Sequence, residues 1–178
     1  MTANPQTHME QPTDAFRIMA CAAVDRSTET LSRWLKRSVR LTLLDISDVR
    51  VADVPELFGR PDELVVAAVI PFSGSLTGIT GLLLSVDEAL NVAATISRRE
   101  FSEMNEMFRS FIAETSNILA SAFLSSMATA SNGHILPAEP QVVVDLAGAI
   151  LEDCVLSQER TLAEGVSTVK ILKIQFSQ

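Results

Sequence analysis

The chain has 178 residues, an apolar content of 47% and a formal net charge of −8. This length and composition predict a single globular domain and exclude a wholly disordered chain. The acidic balance argues against a nucleic-acid or anionic-membrane partner, because both need clustered basic residues. The sequence lacks a run of about 18 apolar residues that could span a membrane, and it lacks an amino-terminal apolar signal core. A cytoplasmic protein is therefore expected.

The first half of the sequence reads as a helix followed by strands. Residues 1–13 are polar and are predicted to form a disordered tail before one domain over residues 14–178. Asp14 is the predicted N-cap of a helix that continues to about Leu35. Strands are predicted at 39–44, 49–51, 64–70 and 76–84, with a hairpin connection at 71–75.

The second half repeats this order more loosely. Ser85 and Glu88 form a predicted capping box at the start of a short helix. A longer helix is predicted from Ser102 to a left-handed turn at Asn132. Strands are then predicted at 141–146 and 166–176. The predicted fold class is α+β, with long helices on a mostly antiparallel sheet and a pseudo-two-fold repeat of helix then strands.

One face of the longer helix carries a narrow polar stripe. At 100° per residue, four polar side chains fall within about 60° of one another over roughly 16 Å, opposite an apolar arc. These four residues are Ser110, Glu114, Asn117 and Ser121. Small residues flank them and would let another molecule approach: Ala113, Ser116 and Ala120. A solvated helix face is the plain alternative explanation.

Leu124 is an apolar residue on the polar side of the same helix, at about 320° on the helical wheel. Two interpretations stay open for it. It contacts a partner, or the fold covers the helix at this point.

The stripe and its surroundings resemble the CheC/CheX family of chemotaxis phosphatases. The family signature is Asp or Ser, three residues, Glu, two residues, Asn, then about twenty-one residues and Pro. Ser110, Glu114, Asn117 and Pro140 match it, with a last spacing of twenty-two. The segment 72–84 resembles the family's hairpin, and 140–146 resembles its strand entry after the proline.

The resemblance implies a CheC-like domain that hydrolyses the aspartyl phosphate of a CheY-like response regulator in two-component signalling. Asn117 would orient the attacking water, because an amide offers both a donor and an acceptor. Glu114 would pair with a lysine of the regulator. Pro140 would shape the turn under the helix.

The surface that contacts the regulator would comprise four residues around this pair: Ser110, Ser121, Ala113 and Leu124. The sequence shows no metal-ligand spacing, so no metal site and no cofactor are expected in this chain. Mg²⁺ is expected on the response regulator.

The first long helix departs from the family pattern. In alignment, Ile18 and Cys21 stand where Glu and Asn would be, and Leu44 stands where Pro would be. A second active site is therefore expected to be absent, and Cys21 and Cys154 are expected to be buried free thiols.

The absence of the signature from the first helix gives weight to an alternative function, a non-catalytic module that binds a phosphorylated regulator or a CheD-like partner, although the phosphatase stays the preferred interpretation. A flagellar-switch component is a weaker third interpretation, because no FliN-like extension follows Phe176.

The last predicted strand, 166–176, lacks an equivalent of the 64–84 hairpin, which leaves an open edge. Either Lys170 and Lys173 shield this edge, or two copies pair edge to edge as in a CheX-like homodimer.

Overall fold

The computed structural model describes residues 12–56, 60–101, 103–159 and 168–177. Helices and antiparallel strands combine along these residues in an α+β arrangement, as predicted. The helices are α1 Pro12–Leu35, α2 Val86–Ser97, α3 Glu106–Ala130 and α4 Ala147–Glu159, and a 3-10 turn spans Val51–Glu56. The strands are β1 Arg40–Arg50, β2 Leu64–Gly74, β3 Gly78–Ser85, β4 Ile135–Pro137, β5 Gln141–Leu146 and β6 Thr168–Ser177.

The strands form two antiparallel sheets. One sheet contains β1 and β6; in the other, β2 is central, with β3 on one edge and β4 and β5 on the opposite edge. Side chains alternate across β2, so Val66 and Ala68 pack against α2 and α3. Val65 and Ala67 pack against α4 on the other face. Helices therefore cover both faces of β2.

The two halves of the chain repeat in register. Arg50 pairs with Thr168 as Leu146 pairs with Leu64, and Leu41 pairs with Phe176 as Pro137 pairs with Phe72. Arg50 therefore corresponds to Leu146, and Leu41 corresponds to Pro137. In both cases the residue of the second half lies 96 positions further along the chain. The same offset carries α1 onto α3. Hence β1 corresponds to β4 with β5, and β6 corresponds to β2.

Pro140 lies in the short interruption between β4 and β5. At the corresponding place in the first half, β1 continues as one strand through a register shift between Leu43 and Asp45, which includes Leu44. The two predicted strands at 39–44 and 49–51 are therefore a single irregular strand. Proline cannot donate to a strand ladder, which fits its position at an interruption.

The beginnings of the two long helices differ from the prediction. Helix α1 begins at Pro12, so Asp14 lies in its first turn instead of capping it. Proline is common at the first helical position because its missing N–H would be unpaired there. Helix α3 begins at Glu106, and the Asn105 side chain caps it by accepting a hydrogen bond from the Phe108 N–H at 3.0 Å. The predicted start, Ser102, lies outside the described residues, as do residues 1–11.

The predicted helix signals after β3 and after α3 are confirmed. Ser85 and Glu88 form the capping box at the start of α2. Asn132 has a positive φ of 50°, and the Gly133 N–H donates to the Ala128 carbonyl at 2.9 Å. In the described ranges, no helix is both long and apolar enough to cross a membrane.

Candidate functional site

The polar stripe predicted on α3 lies on an accessible face of that helix. Ser110, Glu114 and Ser121 are exposed, and Asn117 is half-buried. Glu114 and Asn117 are three residues apart on the helix, so their side chains are neighbours. The Ser110 hydroxyl donates to the Glu106 carbonyl one turn earlier, at 3.0 Å. A carboxylate and an amide therefore project side by side.

Both functional groups of this pair are available to an external molecule. In the part of the chain that the structure describes, neither the Glu114 carboxylate nor the Asn117 amide has a hydrogen-bond or ion-pair partner. Partial burial of Asn117 restricts its side chain, while Glu114 is open to solvent. This arrangement can bind a cation through Glu114 and a polar group or water through Asn117.

Two residues with hydroxyl side chains, Thr115 and Ser116, lie between Glu114 and Asn117 in the sequence and are buried. Thr115 donates to the Phe111 carbonyl and Ser116 to the Ile112 carbonyl, each at 2.8 Å. Burial of these hydroxyl groups therefore leaves no unpaired donor, which would otherwise cost free energy. The side of α3 that carries these two hydroxyl groups can therefore be buried in the fold, while the side that carries Glu114 stays exposed to solvent.

The assignment of Leu124 to the partner-binding surface is wrong. Leu124 is 2% exposed and belongs to a core cluster with Ala23, Met127 and Ile135. The reason is that the buried face of α3 changes along the helix. Its first turns pack against α2, whereas the later turns pack against α1.

The small residues beside the stripe have different surroundings from those predicted. Ser116 and Ala120 are buried and face Ile70 and Gly81 of the sheet. Small side chains here allow α3 to pass close to β2 and β3. Ala113 is half-buried and is the member of the three that keeps accessible surface.

Sequence reasoning missed one residue of this surface. Met107 is 48% exposed and lies on the same side of α3, seven residues before Glu114. Its apolar character alone would place it in the core. A helical wheel places it at about 60° when Ser110 is at 0°, beside the stripe, and this spacing was the signal that could have identified it.

The equivalent face of α1 carries different chemistry. Ile18 and Cys21 correspond to Glu114 and Asn117 through the 96-residue offset of the repeat. Ile18 is 71% exposed and Cys21 is also exposed, so the prediction of a buried thiol is wrong at Cys21. Cys154 is half-buried; burial raises the pKa of its thiol, and the charge of Asp153 raises that pKa further.

Within the described ranges, no three His, Cys, Asp or Glu side chains come together as a metal site. Pro140 is half-buried at the end of the connection that leads to β5.

No family model matches the sequence. The CheY-P phosphatase CheC of Bacillus subtilis is 22% identical over 149 residues, which cover 81% of this chain and 71% of CheC. The crystal structure of Thermotoga maritima FliY superposes with a TM-score of 0.70 at 17% identity and covers 99% of this chain and 85% of FliY. Borrelia burgdorferi CheX, in a crystal structure with CheY, BeF3 and Mg²⁺, superposes with a TM-score of 0.50 at 14% identity and covers 87% and 92% of the two chains. The sequence match and the fold matches together confirm the CheC/CheX family as the one that this chain resembles.

Proposed function

We propose that this protein is a phosphatase that accelerates hydrolysis of the aspartyl phosphate on a CheY-like response regulator. The observation that carries the proposal is the accessible and unpartnered pair of Glu114 and Asn117 on α3, within a CheC/CheX-like fold. The sequence relationship to a CheY-P phosphatase supports the reaction. The CheX–CheY complex supports the class of partner.

Asn117 is the proposed catalytic residue. Phosphoryl transfer depends mainly on positioning and on stabilisation of charge, with little covalent chemistry by the protein. The amide oxygen of Asn117 would accept a hydrogen bond from water, and its NH₂ group would donate to a phosphoryl oxygen. Its half-buried position supports this role, because a restricted side chain holds water in one orientation at a lower entropic cost.

Glu114 is the proposed anchor for the partner. An exposed carboxylate one helical turn from Asn117 can pair with a lysine of the regulator and so fix the direction of approach. Ser110, Ser121 and Ala113 would make secondary contacts along the same stripe. Mg²⁺ would be held by the regulator.

The test is phosphate release from a purified, phosphorylated CheY-like regulator with and without this protein. We expect release to be faster in its presence and to depend on Asn117. Release at the regulator's own rate, with binding intact, would contradict the catalytic assignment.

That outcome would favour a second candidate function, an adaptor that binds a phosphorylated regulator or a CheD-like protein without catalysis. The observation behind it is the α1 face, where Ile18 and Cys21 replace the carboxylate and the amide. One half of the repeat thus keeps an exposed helix face without the chemistry needed to position water.

A further inference from the structure

The exposed face of α3 carries hydroxyl groups that the helix itself does not use. Elsewhere on α3, four hydroxyl side chains donate to the backbone carbonyl four residues earlier: Ser110, Thr115, Ser116 and Thr129. Ser121 and Ser125 are exposed, and in the part of the chain that the structure describes, neither hydroxyl has a hydrogen-bond partner. Both hydroxyl groups are therefore available to donate to a molecule outside the fold.

Ser121 is placed to act together with Asn117. Residues four apart on a helix are neighbours, with Cβ atoms about 5–6 Å apart. The Asn117 amide and the Ser121 hydroxyl can therefore donate to different oxygen atoms of one phosphoryl group. Ser125 lies a further turn away, about 12 Å from Asn117 along the helix axis, and does not reach the same group.

The distribution of charge along α3 distinguishes the two directions from Asn117. This helix is described in full and carries three charged residues: Glu106, Arg109 and Glu114. The Arg109 guanidinium donates to the Val142 carbonyl of β5 at 3.0 Å. The two carboxylates of the helix thus lie on the amino-terminal side of Asn117. Because like charges repel, an anionic phosphoryl group is favoured on the uncharged side, next to Ser121.

We propose that Ser121 is a second catalytic residue of the α3 site and donates a hydrogen bond to a phosphoryl oxygen of the regulator. This inference rests on the proposed phosphatase function and adds a residue to its mechanism. Asn117 would orient the attacking water. Glu114 would hold the regulator's lysine on the amino-terminal side of the phosphoryl group.

The Ser121 hydroxyl takes part in the reaction without exchanging its proton. As the water oxygen bonds to phosphorus, the bond between phosphorus and the aspartyl oxygen breaks, and its electron pair stays on the aspartate. The proton lost by the water goes to the phosphate. Charge is spread over the equatorial phosphoryl oxygens in the transition state, and the hydroxyl stabilises that charge as a neutral donor.

The first test compares phosphate release by variants at saturating concentrations of the phosphorylated regulator. Ser121→Ala should lower kcat by roughly tenfold, because one hydrogen bond to a charged group is lost. Ser121→Asp should lower it further, since the new carboxylate repels the phosphoryl group. The matched controls are Ser125→Ala and Ser125→Asp on the next exposed turn. Both should keep kcat within about twofold of the unmodified protein at physiological salt.

The second test separates contact with the phosphoryl group from an effect on the helix. Asn117→Ala serves as the background, so that the phosphoryl group persists during the measurement. Addition of Ser121→Ala should lower the preference for phosphorylated over unphosphorylated regulator by roughly tenfold, with no change in affinity for the unphosphorylated form. The urea midpoint of Ser121→Ala should not fall, because alanine has a higher helix propensity than serine.

The results that contradict this inference differ from those that contradict the proposed function. Unchanged kcat in Ser121→Ala, together with slow release by Asn117→Ala, would overturn the role of Ser121 and leave the phosphatase standing. An equal loss in Ser125→Ala, or an unchanged preference for the phosphorylated regulator, would also overturn it. No acceleration by the unmodified protein would overturn the proposed function and this role together.

Discussion

Helices α1 and α3 hold equivalent places in the repeat, yet their exposed faces differ at the two positions that carry the candidate chemistry. Ala20 and Ser116 are both buried at corresponding positions, and Ile18 and Glu114 are both exposed. Packing requires a small residue at this inner position of both helices. It imposes no such requirement on the outer sides, where one helix presents a carboxylate and an amide and the other presents an aliphatic group and a thiol. Fold and site can therefore vary independently.

The largest expected difference between the two faces concerns catalysis. Asn117→Ala should slow phosphate release by a factor of roughly 10²–10³, the usual cost of removing one positioned polar group at a reacting centre. The matched variant on α1, Cys21→Ala, should leave the rate unchanged. Binding of the phosphorylated regulator, measured by fluorescence anisotropy, should persist in both. Equal rates for the two variants would remove the functional distinction between the helices.

The second difference concerns stability. Leu124→Ala should lower the free energy of unfolding by about 3 kcal/mol, because it empties part of the core between α1 and α3. Ile18→Ala should change it by less than about 0.5 kcal/mol, since Ile18 is exposed. Urea unfolding of both variants gives the comparison. A negligible loss for Leu124→Ala would mean that this leucine is not packed as described.

A smaller effect is expected for the partner anchor. Glu114→Ala should weaken binding of the regulator by about tenfold, through loss of one charged contact. Glu114→Gln, which keeps the size but not the charge, should weaken it by a similar factor. Titration at low and high salt should show that the loss is greater at low salt. Full binding by Glu114→Gln would show that charge is not what the partner recognises.

The smallest expected effect is the difference between the two thiols. The raised pKa of Cys154 lowers its thiolate fraction at neutral pH, and the thiolate is the reactive form. Cys21 is exposed and should react with a thiol reagent several-fold faster at pH 7. Because the thiolate fraction of Cys154 grows as the pH rises, its labelling should accelerate between pH 7 and 9. Mass spectrometry after timed labelling would measure both rates.

The local signals of the sequence predicted much of the fold. The capping box at Ser85, the left-handed turn at Asn132 and the 3.6-residue period of α3 depend on contacts within a few residues of chain. The prediction that Glu114 and Asn117 share an accessible face of α3 followed from the same helical period. Such features depend on residues that are close in sequence and not on tertiary packing, so the sequence alone can predict them.

The errors arose where distant elements decide the environment. The burial of Leu124 depends on α1, and that of Ser116 depends on β2 and β3, which one helical wheel cannot include. The exposure of Cys21 follows from its place on the outer face of α1. The continuity of β1 through Leu44 depends on its pairing with β6. To predict each of these features, one would need to know how elements far apart in sequence pack and pair with one another.

The strand pairing also has a consequence for how the chain acquires its structure. The strands that follow the long helix of each half pair with a strand of the other half: β1 pairs with β6, and β4 and β5 pair with β2. Neither half can complete its hydrogen-bonded ladders alone, so the two are interlocked and not autonomous folding units. Pairing across more than a hundred residues, such as Arg50 with Thr168, carries a high loop-closure entropy and predicts slow, cooperative folding. Separately expressed halves should therefore acquire stable structure only when they are mixed.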